Sequence, residues 1–174
     1  IGGARQISDD DLGKKYETIG FDINPDRVDQ LTLGLDSTNE LSKDKIKSSI
    51  RISFSNKIED ISDSTIYIVS VPTPIDEDNN PDLSPLLSAT KMISKFVKKG
   101  NIVIFESTVY PGCTEEECVP IIEKGSSLKY NIDFFCGYSP ERINPGDKKN
   151  TITNIKKVTS GSNLKTSELV DKLY

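Results

Sequence analysis

Six short runs rich in β-branched and aromatic residues, at 17–22, 51–54, 66–71, 101–105, 134–138 and 157–160, are separated by stretches whose apolar residues recur at helical spacing. Strands that alternate with helices predict βαβ units, hence an α/β fold with a mainly parallel sheet and helices on both faces. The helix boundaries carry their own signals. Asn24-Pro25 reads as an N-cap with proline at the first helical position, opening a helix through Val28 and Leu31 that ends near Gly34. Ser84-Pro85 repeats the device for a helix that lays Leu86, Leu87, Ile93, Phe96 and Val97 on one side and closes at Lys98-Lys99-Gly100. Thr114-Glu115-Glu116-Glu117 has the form of a capping box, with Val119, Ile121 and Ile122 behind it. A further helix is expected from Thr166 to Leu173, and the chain stops there without a Gly or Pro signal.

Several strands end abruptly at polar turns, and in a parallel sheet the carboxyl ends of the strands are where ligands bind. One such junction is Phe105-Glu106-Ser107-Thr108-Val109-Tyr110-Pro111-Gly112, and a second is Tyr138-Ser139-Pro140-Glu141-Arg142-Ile143-Asn144-Pro145-Gly146. The strand 66–71 runs into Pro72-Thr73-Pro74, where two prolines stiffen the loop and leave Thr73 able to donate to a phosphate or ribose at little ordering cost. Asp22 ends the first strand just before a capped helix. It is equally readable as a carboxylate for ribose hydroxyls, which favours NAD over NADP, and as a residue that caps a turn. Arg27 is either a neighbour of that ribose or a solvated helix residue, and Glu141 is a candidate general base or orienter of water.

Composition narrows the chemistry. With 174 residues and 34% apolar content, the chain suits one domain with a substantial core. Its net charge of −5 and scattered lysines argue against nucleic acid as a partner. No apolar run approaches the roughly 18 residues of a membrane span, and no secretory signal opens the chain, so a cytoplasmic protein without membrane insertion is expected. Histidine is absent, which removes the imidazole base, and no metal site is expected. The polar tract 76–82 is read as a surface loop because it lacks the Gly and distal Glu of a calcium loop. Cys118 and Cys136 fall at core positions, whereas Cys113 begins a helix, a place that can lower a thiol pKa.

The blocks Val71-Pro72-Thr73-Pro74-Ile75-Asp76, Glu106 to Gly112 with Thr114-Glu115-Glu116, and Ser139 to Gly146 together resemble the amino-terminal NAD-binding domain of the UDP-glucose/GDP-mannose dehydrogenase family, from about Gly13 to Tyr174. The wording is most similar to the UDP-N-acetylhexosamine 6-dehydrogenases of the Vi-polysaccharide type. The resemblance implies a Rossmann-like domain and a parent enzyme of surface polysaccharide biosynthesis that oxidises a UDP-N-acetylhexosamine at C6 to its uronic acid, with two hydride transfers to NAD. It implies that Asp22, Arg27, Thr73 and Thr108 bind the cofactor, that Thr108 and Glu141 face the reacting carbon, and that Arg142, Ile143 and Asn144 touch the sugar. In the family, the glutamate at the Glu141 position assists water attack on a thioester.

Two departures from the family pattern set further expectations. The nucleophilic Cys, the assisting Lys and Asn, and the long helix on which the family dimerises have no counterpart in 1–174, so the chain is expected to be a truncated cofactor domain that is inactive by itself, with the parent's oligomeric state left open between a monomer and a homo-oligomer. At the amino end, Ile1 to Ile7 offers at most the end of a first strand, the glycine loop is missing or degenerate, and Asp9 to Asp11 places three acids where a pyrophosphate would approach. Loss of that strand would leave two unpaired edges mid-sheet. A remnant or interaction module that binds no dinucleotide is therefore the competing expectation. A reductase for another substrate is a third, set against by the Ser-Pro-Glu-Arg block.

Overall fold

The computed structural model describes residues 15–37, 43–75, 80–140 and 157–174. These fall into two compact units that meet in sequence between Ser62 and Asp63.

The first unit holds β1 (Thr18–Phe21), α1 (Pro25–Thr32), α2 (Lys43–Ser48), β2 (Ile52–Ser55) and a 3-10 turn at Ile58–Ile61. β1 and β2 pair in parallel, with Thr18 opposite Ile52 and Phe21 opposite Ser55. The Asn24 side chain accepts from the Asp26 N–H at 3.0 Å, Pro25 opens α1, and Gly34 takes φ of 73° just past its end. The expected cap, start and stop of this helix are all present. α2 and the 3-10 turn were not anticipated, because neither carries an apolar stripe long enough to register as a helix.

The second unit carries β3 (Ile66–Val69), α3 (Ser84–Ser94), β4 (Ile102–Phe105), α4 (Val119–Ser126), β5 (Phe135–Tyr138), β6 (Ser160–Gly161) and α5 (Leu164–Leu173). Its strand order is β3-β4-β5-β6, parallel except for the antiparallel β5-β6 pair. Strand β4 is central and buried along its whole length, as a continuous Ile-Val-Ile-Phe run requires when both faces are covered. Ile102 and Ile104 pack on one face against Val170 of α5, with Ile66, Ile68 and Leu173 around them. Val103 and Phe105 alternate to the other face and are equally buried. α5 lies so close to β5 that a Cβ on Gly137 would stand 2.8 Å from a Val170 methyl.

Four boundary expectations change. α3 ends at Ser94, short of the Lys98-Lys99-Gly100 signal, which instead forms a separate turn with Gly100 at φ of 89° and its N–H on the Asp133 carbonyl at 2.6 Å. Ser84 does not cap α3 but is already helical, its N–H donating to the Asp82 carboxylate at 2.9 Å, and the N-cap position, Leu83, makes no side-chain cap bond. Thr114 makes no cap bond either. It begins a π-helical turn, Thr114–Cys118, that leads directly into α4. At the other end, α5 starts two residues earlier than expected, with the Asn163 side chain accepting from the Thr166 N–H at 2.9 Å.

Among the described residues, β1 pairs only with β2 and β3 only with β4, and no helix is long and apolar enough to cross a membrane. The stretch that would hold a first strand and a glycine loop, including Asp9 to Asp11, lies outside the described residues, as do 76–79 of the polar loop.

Candidate functional site

In the second unit the carboxyl ends of β3, β4 and β5 lie level. The Glu106 N–H donates to the Val69 carbonyl at 2.9 Å and the Ser139 N–H to the Phe105 carbonyl at 3.0 Å, carrying the ladder one residue past each strand. Beyond it the backbone turns away and the polar side chains gather.

Ser107 is buried, and its hydroxyl donates to the Val71 carbonyl at 2.7 Å. This bond ties the loop after β4 to the start of Pro72-Thr73-Pro74. Thr108, the next residue, is exposed. Thr73 is half-buried, yet its Oγ1 atom is shielded from solvent and has no hydrogen-bond partner among the described residues. A shielded hydroxyl without a partner is costly unless a ligand or water completes it. The two threonines singled out by sequence are thus carried on loops joined by one buried bond.

Glu106 is 4% exposed and holds a denser network than its sequence context suggests. The Tyr174 hydroxyl donates to Glu106 Oε1, and the Lys157 ammonium lies 3.7 Å from the same oxygen and 5.1 Å from the centre of the Tyr174 ring. Burial, then the charge of Glu106, push the Tyr174 pKa far above the ordinary phenol value, although a contact with Ser139 works the other way. The sequence offered no sign of this cluster, because Tyr174 lies 68 positions from Glu106.

The first unit, described by itself, carries Asp22 and Arg27. Asp22 follows β1, is 6% exposed, and accepts from the Asn24 N–H at 2.8 Å, so it does form the turn that was its alternative reading. Arg27 is engaged within its own unit, where it pairs with Asp36 at 2.7 Å and donates to the Ser37 hydroxyl at 3.1 Å. Glu141, Arg142, Ile143 and Asn144 lie outside the described residues.

The cysteines divide as expected in one respect and not in another. All three are free and buried. Cys118 and Cys136 are core residues, with burial raising the Cys118 pKa to about 12 and the Cys136 pKa further still. Cys113 departs from expectation: burial, followed by the charges of nearby glutamates led by Glu117, raises its pKa despite its place at a helix start.

Within the second unit, the polar strand ends offer a shielded Thr73 hydroxyl with no partner among the described residues and an exposed Thr108 hydroxyl, the kind of groups a dinucleotide's phosphates and riboses complete. Comparison with known proteins agrees. The NAD binding domain of the UDP-glucose/GDP-mannose dehydrogenase family matches residues 11–174. UDP-N-acetyl-D-glucosamine 6-dehydrogenase of Pseudomonas aeruginosa is 54% identical over 164 residues, which cover 94% of this chain and 39% of that protein. The Salmonella typhi protein of the same name is 47% identical over the same shares. Among solved structures, the UDP-D-ManNAc dehydrogenase of Pyrococcus horikoshii superposes with a TM-score of 0.85 at 27% identity, covering 97% of this chain and 40% of that one. The chain spans about two fifths of the length of the curated relatives it matches. It has the Rossmann-like α/β architecture of a domain whose cofactor is NAD, and it belongs to the UDP-glucose/GDP-mannose dehydrogenase family.

Proposed function

We propose that this chain is the cofactor domain of an NAD-dependent UDP-N-acetylhexosamine 6-dehydrogenase. The observation that carries the proposal is the 54% identity to a UDP-N-acetyl-D-glucosamine 6-dehydrogenase, extending through the strand ends where Thr73 and Thr108 stand.

In this reading Asp22 accepts from the adenosine ribose hydroxyls, and its charge opposes a phosphate at the same place. Thr73 completes its shielded hydroxyl on the cofactor, and Thr108 reaches both the cofactor and the reacting carbon. Arg27, held by Asp36, buttresses the turn beside the ribose. Glu141 activates water for the final hydrolysis, and Arg142, Ile143 and Asn144 contact the sugar. NAD supplies the hydride acceptor, and each oxidation of the primary alcohol toward the acid consumes one equivalent. The buried cysteines take no part, since their raised pKa values leave little thiolate at neutral pH. The nucleophile, the uridine contacts and the oligomer interface belong to other segments of the parent, so this chain by itself binds but does not turn over.

Calorimetric titration with NAD tests the proposal. Saturable binding to the chain, weakened in Thr73→Ala, is expected. No heat up to millimolar cofactor would favour a remnant that keeps the fold without the ligand.

A further inference from the structure

The network around Glu106 goes beyond the residues assigned above. Glu106 is the last residue held in the sheet ladder before Ser107 and Thr108. A buried carboxylate takes its orientation from whichever donors satisfy it, because leaving it unpaired is far more costly than any rotamer change. Here the partners include the Tyr174 hydroxyl, which donates to it, and the Lys157 ammonium, an ion-pair partner 3.7 Å away, both brought from the carboxyl-terminal part of the unit. The Lys157 and Glu106 side chains are only 12% and 2% exposed, so their attraction is weakly screened.

Tyr174 is delivered to this position by packing. Tyr174 closes α5, whose Val170 is fully buried against Ile102 and Ile104 of β4, the strand that leads into Glu106. Its ring contacts the same cluster, and its hydroxyl lies beside Ser139 at the end of β5. Two successive residues after β4 are therefore pinned by buried bonds to different partners, Glu106 to Tyr174 and Ser107 to Val71. Thr108 projects from this fixed base into solvent.

We propose that Tyr174 and Lys157 are positioning residues for Thr108, acting through the Glu106 carboxylate, so that α5 and the segment before β6 help to set the cofactor-facing edge. The inference rests on the proposed role of Thr108 at the cofactor. The arrangement preorganises a hydroxyl that would otherwise be ordered at the expense of binding energy.

Tyr174→Phe is the discriminating variant, because it keeps the ring, its packing and its contact with Lys157 while removing the hydroxyl. Amide hydrogen exchange, read by NMR, is expected to accelerate about tenfold at Glu106 and Ser139, the size of one lost bond to a charged group, with Val103 and Ile104 unchanged. Affinity for NAD is expected to fall by a similar factor. Lys157→Met, which leaves the tyrosine hydroxyl in place, should show the same local pattern at smaller size. Uniform acceleration across β3, β4 and β5 would reveal a purely structural role and overturn the proposal, as would unchanged exchange at Glu106. Local acceleration with unchanged NAD affinity would overturn it too. If the unaltered chain binds no NAD, the cofactor reading of Thr108 fails, and the exchange measurement still decides whether Tyr174 fixes the strand end.

Discussion

Replacing Ser107 by alanine removes one oxygen atom from the polar edge of the second unit, and its consequences can be worked through in full. The hydroxyl donates to the Val71 carbonyl at 2.7 Å, with Ser107 and Val71 exposed by only 2% and 8%. Water therefore cannot readily replace the lost donor. Leaving a buried acceptor short of its bond costs about 1–3 kcal/mol. Taking about 2 kcal/mol and a urea dependence of about 2 kcal/mol per molar, the unfolding midpoint should drop by about 1 M. The companion variant Thr108→Ala alters an exposed side chain and should stay within about 0.5 kcal/mol of the unaltered protein. Binding should show a different ranking. Thr108→Ala is expected to weaken NAD without touching stability, whereas Ser107→Ala should weaken it only by loosening the Thr73 loop that Val71 introduces. Urea unfolding followed by circular dichroism and calorimetric titration measure the two quantities. A midpoint for Ser107→Ala within about 0.2 M of the unaltered protein would refute the claim that this bond joins the two loops.

Asp22→Asn should retain the turn, because an amide oxygen can still accept from the Asn24 N–H, while narrowing the preference for NAD over NADP; competitive titration with both dinucleotides checks this. Gly125→Ala should destabilise the α3–α4 contact by about 1–3 kcal/mol, since its Cβ would stand 2.0 Å from Ser94 Oγ, and Ser94→Gly should restore part of the loss in thermal melts. All three thiols should resist a disulfide reagent in the folded chain and react once it is unfolded. Because burial raises the Cys118 pKa from 9.0 to about 12, the unfolded state loses this proton first as pH climbs. The thiol's contribution to stability is thus complete below about pH 9 and is lost between 9 and 12. Cys118→Ala should show a shallower alkaline decline in urea midpoint.

Much of the fold follows from local chemistry that a linear sequence carries openly. The cap at Asn24 and Pro25, the positive φ at Gly34, and the wholly apolar run of β4 depend on residues within a turn or strand of each other. The strand-end blocks were equally open, since a β-rich run broken by Pro and polar residues marks where backbone leaves a sheet. Thr73 and Thr108 were singled out in this way.

Competition and distance decided the rest. Ser84 has the form of a cap, yet it lies inside α3 with its N–H on the Asp82 carboxylate, and the N-cap position falls on Leu83. Cys113 stands where a helix start could lower its pKa, yet burial and neighbouring acids outweighed that effect, and both come from packing rather than from sequence position. Glu106 looked like one more polar residue leaving a strand. Only the tertiary structure brings Lys157 and Tyr174 to it, because a buried carboxylate finds its partners through the packing of α5 on β4 and not through neighbours in the chain. Sequence alone thus determined the fold class, the polar strand ends and the family's motifs, whose information is local. Tertiary structure decided which hydroxyls are buried, partnered or left for a ligand, because satisfaction of buried polar groups is settled by contacts between segments far apart in the chain.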